Sequence, residues 1–299
     1  MDLSSLPRRA RISLGPAVDP DTGEYLPARL WESKLGGAPY RLRGSGWPHL
    51  PGPDGTAGPP LGFLAQLNLA DLEAWRVRTG QPVPLDGKLP TAGLLQFFVP
   101  QIEGWGGFDG GRCFVAWWPE VNEDPGALDE PVLAVPDTDG VRFVPEFARA
   151  RRHDHRRPDG RLPSLISTSD AWSWTPLTQP ELPIRLDPVV TEPVVQAPNP
   201  WNDNSLPADL RVEVAALDQE DTDTIEAQFG TGGIQVGGYP YFTQDDPRPA
   251  DTDLVLLWQL DGDNASVCIG DSGVMSFFIR ADELAARDFS RVWMSWDCC

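Results

Sequence analysis

Two glutamines occupy positions where apolar side chains would be expected. Gln66 lies inside the run Leu61 to Leu69, and Gln259 inside Leu254 to Leu260. A buried amide without partners costs on the order of 1–3 kcal/mol, so each must be hydrogen-bonded. One reading is that they pin neighbouring turns or pair with each other. The other is that, with Asn68 and Asp261 two positions downstream, they line a polar pocket. Trp47, Gln244 and Asp245 complete the candidate binding set.

Metal chemistry has thinner support. Asp261-Gly262-Asp263-Asn264 opens like a calcium loop, but position six is Ser266 and position twelve is Ser272, so it is not an EF-hand. Asp261, Asp263 and Asp271 are the weak candidates for a looser cation site, with Asp245 and Asp246 on another turn. Gly270-Asp271-Ser272-Gly273 resembles a serine-protease nucleophile motif. That chemistry needs a base and an orienting acid, and the only histidines are His49, His153 and His155, none in a supporting motif. The stretch reads as a turn. His153-Asp154-His155 could share a face toward a metal, yet six arginines between Arg149 and Arg161 would repel one. Those arginines could instead hold an oxyanion, but an exposed loop is the simpler reading. No cofactor is implied, and the sequence leaves open whether the chain is an enzyme.

The elements that would position these residues recur. Gly36-Gly37-Ala38-Pro39-Tyr40, Leu61 to Asn68 and Gly93 to Val99 are echoed by Gly237-Gly238-Tyr239-Pro240-Tyr241, Leu254 to Asp261 and Gly273 to Ile279. Three blocks in one order argue for a duplicated unit packed about a pseudo-twofold axis. The Gln-bearing blocks have strand length and are apolar throughout, which fits strands covered on both faces. Asn68 can cap a helix that stops at Gly80. A second short helix follows at 281–287, and an acidic one at 215–229. The expected fold is α+β, mainly antiparallel or mixed β with few short helices. The whole chain, 1–299, reads as a single domain. Its first repeat is about 30–120 and its second about 208–299. Between them, about 121–207, lies an insertion whose 176–207 part has eight prolines and reads as extended chain crossing the surface.

Proline (32) and glycine (29) are abundant in the 299 residues, which disfavours long helices. No apolar run is long enough to span a membrane. The net charge is −20, and residues 176–299 hold 22 acids against 6 arginines. Such a field repels nucleic acid and anionic membrane and attracts basic partners. The N-terminal arginines are followed by no apolar core, so no secretory signal is read. Cys113, Cys268, Cys298 and Cys299 show no C-x-x-C spacing. A reduced, cytoplasmic protein is expected.

Ser33-Lys34-Leu35-Gly36-Gly37-x-Pro39 with Trp47-Pro48 resembles the opening of the YwqG-like proteins, a bacterial domain of unknown function. The resemblance continues through Phe63 to Leu69 and Gly93 to Phe98. It resumes at Gly238-Tyr239-Pro240, Gln244-Asp245-Asp246-Pro247-Arg248, Leu256 to Asp261, Gly270 to Gly273 and Phe277 to Ile279. It implies an α+β fold with internal duplication and no established activity. The expected function is a non-catalytic binding protein, of immunity type, with an acidic face toward a basic partner. The alternative is a metal-dependent hydrolase using the turn aspartates.

Overall fold

The computed structural model describes residues 7–23, 25–51, 53–100, 113–129, 135–137, 140–142, 184–199, 203–205, 232–250, 252–262 and 273–298. The arginine- and histidine-rich stretch 149–161, the expected helix at 215–229, and Asp263 and Asp271 lie outside them.

In chain order the strands of the first part are β1 (Arg9–Pro16), β2 (Lys34–Leu35), β3 (His49–Pro51), β4 (Ala57–Pro60) and β5 (Gly62–Asn68). Helix α1 (Leu69–Thr79) follows, then β6 (Leu94–Val99), β7 (Phe114–Trp118), β8 (Val135–Asp137) and β9 (Gly140–Arg142). The later strands are β10 (Ile184–Val189), β11 (Val195–Gln196), β12 (Ile234–Gly237), β13 (Leu254–Asp261) and β14 (Val274–Arg280). Helix α2 (Ala281–Ala285) and β15 (Trp293–Asp297) close the described chain. Eleven strands form one sheet in the order β15-β14-β13-β12-β1-β10-β2-β5-β6-β7, with β11 beside the start of β1. Every pairing in it is antiparallel. The fold is therefore mainly antiparallel β with two described α-helices, and no mixed pairing occurs among the described strands.

The sheet curls onto itself. Phe97 of β6 meets Trp258 of β13 with ring centroids 4.6 Å apart and Phe277 of β14 at 4.8 Å. At its two edges, the Cys113 thiol donates to Val292 O, and Trp117 packs on Phe289. One core thus takes in Leu67, Leu95 and Phe97 from one side and Leu260, Met275 and Phe277 from the other.

β5 and β13 are built alike. Each slips register against its neighbour two residues before the glutamine, between Phe63 and Ala65 and between Leu256 and Trp258. Such a bulge puts two consecutive side chains on one face. Leu64 with Ala65, and Leu257 with Trp258, consequently all enter the same core. Gln66 and Gln259 are left pointing the other way, toward the outer face. Antiparallel sheets often leave that face to solvent. Here the chain flanking β2 and β12 reaches Gln66 and Gln259 on that face, and β5 is buried at every position.

Two departures from expectation concern the middle of the sheet. Residues 184–189, inside the stretch read as surface-crossing chain, form β10 between β1 and β2. Ile184 and Leu186 are buried there, and their apolar burial outweighs the proline content as a guide. The N-terminal residues Arg9–Pro16, outside both expected repeats, supply the neighbouring strand β1. Helix α1 matches its expectation. Asn68 Oδ1 accepts from Ala70 N and Asp71 N at the start, and Gly80 at φ 69° closes the end.

Candidate functional site

The first-half glutamine is held at all four of its hydrogen-bonding positions. Gln66 Oε1 accepts from Tyr40 N and from Gln96 Nε2, both at 3.1 Å. Its Nε2 donates to Leu30 O (2.6 Å) and Glu32 O (2.8 Å). Gln96, directly opposite on β6, also donates to Tyr40 O and accepts from Trp118 Nε1 at 2.7 Å. Asn68 Nδ2 reaches Trp31 O, and Asn68 N reaches Ser33 Oγ. Lys34, across from Gln66, sends Nζ to Arg29 O and Leu30 O at 3.2 Å each. The segment 29–33 is thus fastened through its carbonyls to three neighbouring side chains of the sheet.

The second half repeats the device with different parts. Gln259 Oε1 accepts from Tyr241 N at 2.8 Å, the position matching Tyr40 N, and Nε2 donates to Gly233 O at 3.3 Å. Gln235, opposite it on β12, donates to Gly237 O and Tyr239 O and accepts from the Arg11 guanidinium at 2.8 Å. Arg11 in turn reaches Pro193 O and Glu192 O. Gln196 Oε1 accepts from Tyr239 N. A Cβ on Gly238, at φ +78°, would sit 2.1 Å from that Gln196 oxygen, so the turn requires glycine twice over. Asp261 Oδ2 accepts from Gly233 N at 2.8 Å. Ser276, where β6 has Gln96, is 2% exposed and its hydroxyl has no partner among the described residues.

Gln66 and Gln259 therefore do not face each other, and each serves its own turn. Trp47 is half-buried and anchored: its ring nitrogen donates to Leu61 O, its face meets Phe98 edge-on, and Arg41 lies over it. Gln244 and Asp245 are exposed. Gln244 Nε2 donates to Cys298 O, and Gln244 N donates to Asp297. Burial outweighs these donors and pushes the Asp297 carboxyl up. Among the described residues no three metal-ligating side chains gather.

The sequence reading passed over a buried ion triad. Arg248 is fully enclosed, with NH2 at 2.7 Å from both Asp203 and Asp246, and with Nε on both oxygens of Asp246. NH1 reaches Leu254 O, and the guanidinium lies over Phe278 at 5.0 Å. Asn204 donates to Asp246 and to Arg248 O, tying a remote segment to this turn. The charged pair in Asp246-Pro247-Arg248 was the available signal. Its partner Asp203 was not discoverable from spacing.

The model of a family described as a domain of unknown function, DUF1963, matches residues 33–298. The chain belongs to that family. No curated protein matches it. The matched range takes in Lys34, both glutamine clusters and the Arg248 triad of this DUF1963 chain, and it leaves out β1.

On the surface of the DUF1963 fold, one carboxylate is acted on by the charges of three others. Asp71 of α1 has its carboxyl pushed up, first by burial and then by the charges of Glu32, Glu123 and Asp187. Separately, a cleft of about 190 Å³ lies between α1 and the chain at 83–91, lined by Leu72, Glu73, Arg76, Val83 and Leu89. None of the residues anticipated from sequence lines it.

Proposed function

We propose that this DUF1963 protein is a non-catalytic binding protein of the YwqG-like kind, acting in the cytoplasm through an acidic surface toward a basic protein, as an immunity protein would. One observation carries the reading. Several polar side chains of the family-like motifs are spent inside the fold: Gln66, Gln96 and Gln259 hold loops, as Gln235 beside them does, and Arg248 closes a buried triad. Motifs of that kind build a platform, and function then falls to what the platform displays. The displayed charge favours a cation: the net charge is −20, and Asp71 is acted on by the like charges of Glu32, Glu123 and Asp187. The matched positions of the two halves support reading them as two copies of one ancestral unit.

The metal-hydrolase alternative gains no comparable support, since one oxygen of Asp261 already closes the Gly233 turn. No described helix is long and apolar enough to cross a membrane.

The test couples partner isolation to charge. The chain, immobilised, is used to isolate partners from its source cells, and each partner is purified and titrated calorimetrically over about 50 to 500 mM salt. A basic partner whose binding weakens with salt, and weakens further when Asp71→Asn, Glu123→Gln and Asp187→Asn are combined, is the expected result. Partners that are acidic, or that bind equally well in high salt and to the triple variant, would overturn the reading.

A further inference from the structure

Lys34 is the anomaly in the sheet. It is 1% exposed, on a two-residue strand with a neighbour on each side, Arg185 of β10 and Gln66 of β5. Among the described residues its Nζ bonds to two backbone carbonyls, Arg29 O and Leu30 O, and to no carboxylate. A buried ammonium without a counter-ion costs several kcal/mol, and such groups shed the proton instead.

The charges around it come from every element packed there. β10 brings Arg185, itself paired to Asp187 at 2.8 Å. The 29–33 segment brings Arg29 and Glu32, and the Glu32 carboxylate is occupied by Arg29 N at 2.7 Å. Asp71 of α1 and Glu123 of the chain after β7 share the field of Glu32. β5 brings only the neutral amide of Gln66. Glu32 favours the ammonium, but burial outweighs it and pushes the amine down to about 7.

We propose that Lys34 is a proton-operated latch: its amine is uncharged under the closed 29–33 segment, and protonation favours a form in which that segment lifts and water reaches Nζ. The segment is suited to lifting about its Ser33 end, where Leu186 N holds Ser33 O, because the carbonyls of residues 29–32 are held by side chains and can be handed to water. Once hydrated, the amine recovers the ordinary proton affinity of lysine. The open form then holds a proton that the closed form lacks between about pH 7 and 10, so each unit of acidification in that window favours opening about tenfold. Below about pH 7 both forms are charged and the effect levels off. The second half of the sheet has Gln235 at this position, a neutral side chain donating to Gly237 O and Tyr239 O. It is a latch without a proton.

The chain has only two lysines, so lysine-selective isotope labelling gives two signals and an internal reference. In a titration from about pH 5 to 11, Lys88 is expected to move in the ordinary lysine range and Lys34 about three units lower. Two lysines titrating together would overturn the latch. Amide-exchange protection at Glu32 and Asn68 is expected to rise with pH between about 7 and 9 and to become flat in Lys34→Gln. Protection in the wild type that ignores pH in that window also overturns it. Should the variant fail to fold, the wild-type titration and protection profile decide alone.

Discussion

The two ends of the sheet solve one problem in unequal ways. Each must fold a Gly-Gly turn over the outer face and satisfy the backbone groups it buries. The β5–β6 end does so with a closed network. Gln66 and Gln96 share a bond, both contact Tyr40, and Trp118 completes the set. The β13–β14 end keeps the glutamine but has Ser276 for Gln96 and Asp297 where β7 has Trp118. Among the described residues Gln259 makes two bonds in place of four, and Ser276 Oγ makes none. This end instead fixes its covering turn with the Arg248 triad and with Asp297, which accepts from Thr243 N and Gln244 N. The lesson is that the first end relies on neutral amides and the second on charge.

That contrast ranks the expected effects of substitution. Arg248→Met leaves Asp203 and Asp246 buried without a counter-charge and should cost about 3–5 kcal/mol in urea unfolding. A loss under about 1 kcal/mol would mean the triad does not carry the second end. Gln66→Leu strands four groups and should cost about 3 kcal/mol, against about 1–2 kcal/mol for Gln259→Leu. Equal losses would erase the distinction between the ends.

Lys34 separates the ends by pH. Its folded amine sits below its unfolded value, so the unfolded chain binds the extra proton and stability rises with pH above about 7. Between pH 7 and 9 the gain is about 2 kcal/mol, and Lys34→Gln should flatten it. The opposite trend belongs to Cys113, whose buried thiol is pushed up to about 12, so that stability falls once the unfolded thiol ionises near pH 9. The smallest effect is Ser276→Ala, which removes a hydroxyl that bonds to none of the described residues and should change stability by at most about 1 kcal/mol, in the stabilising direction. A clear loss would show that the hydroxyl has a partner of its own.

Much of the local structure was legible in the residues. The Asn68 cap, the Gly80 stop, the apolar runs of β5 and β13 and the need to satisfy both glutamines follow from patterns within a few positions. Within the candidate binding set, Gln66, Asn68 and Gln259 hydrogen-bond to the segments that cover the sheet, while Gln244 and Asp245 are exposed. The acidic group around Asp71 went unread because its members are far apart in sequence and share only a location.

The sequence by itself determined that β5, β6, β13 and β14 are strands, where their turns need glycine, and that two amides would be buried. Those follow from side-chain size, backbone freedom and short-range hydrogen bonding. Only the tertiary structure decided that β1 and β10 fill the centre of the sheet and that Arg11 bonds to Gln235, 224 positions away. It likewise decided that Arg248 takes Asp203 as a partner and that, among the described residues, no carboxylate bonds to Lys34. Burial and charge partners depend on which distant segments the collapse brings together, and residue spacing does not encode that.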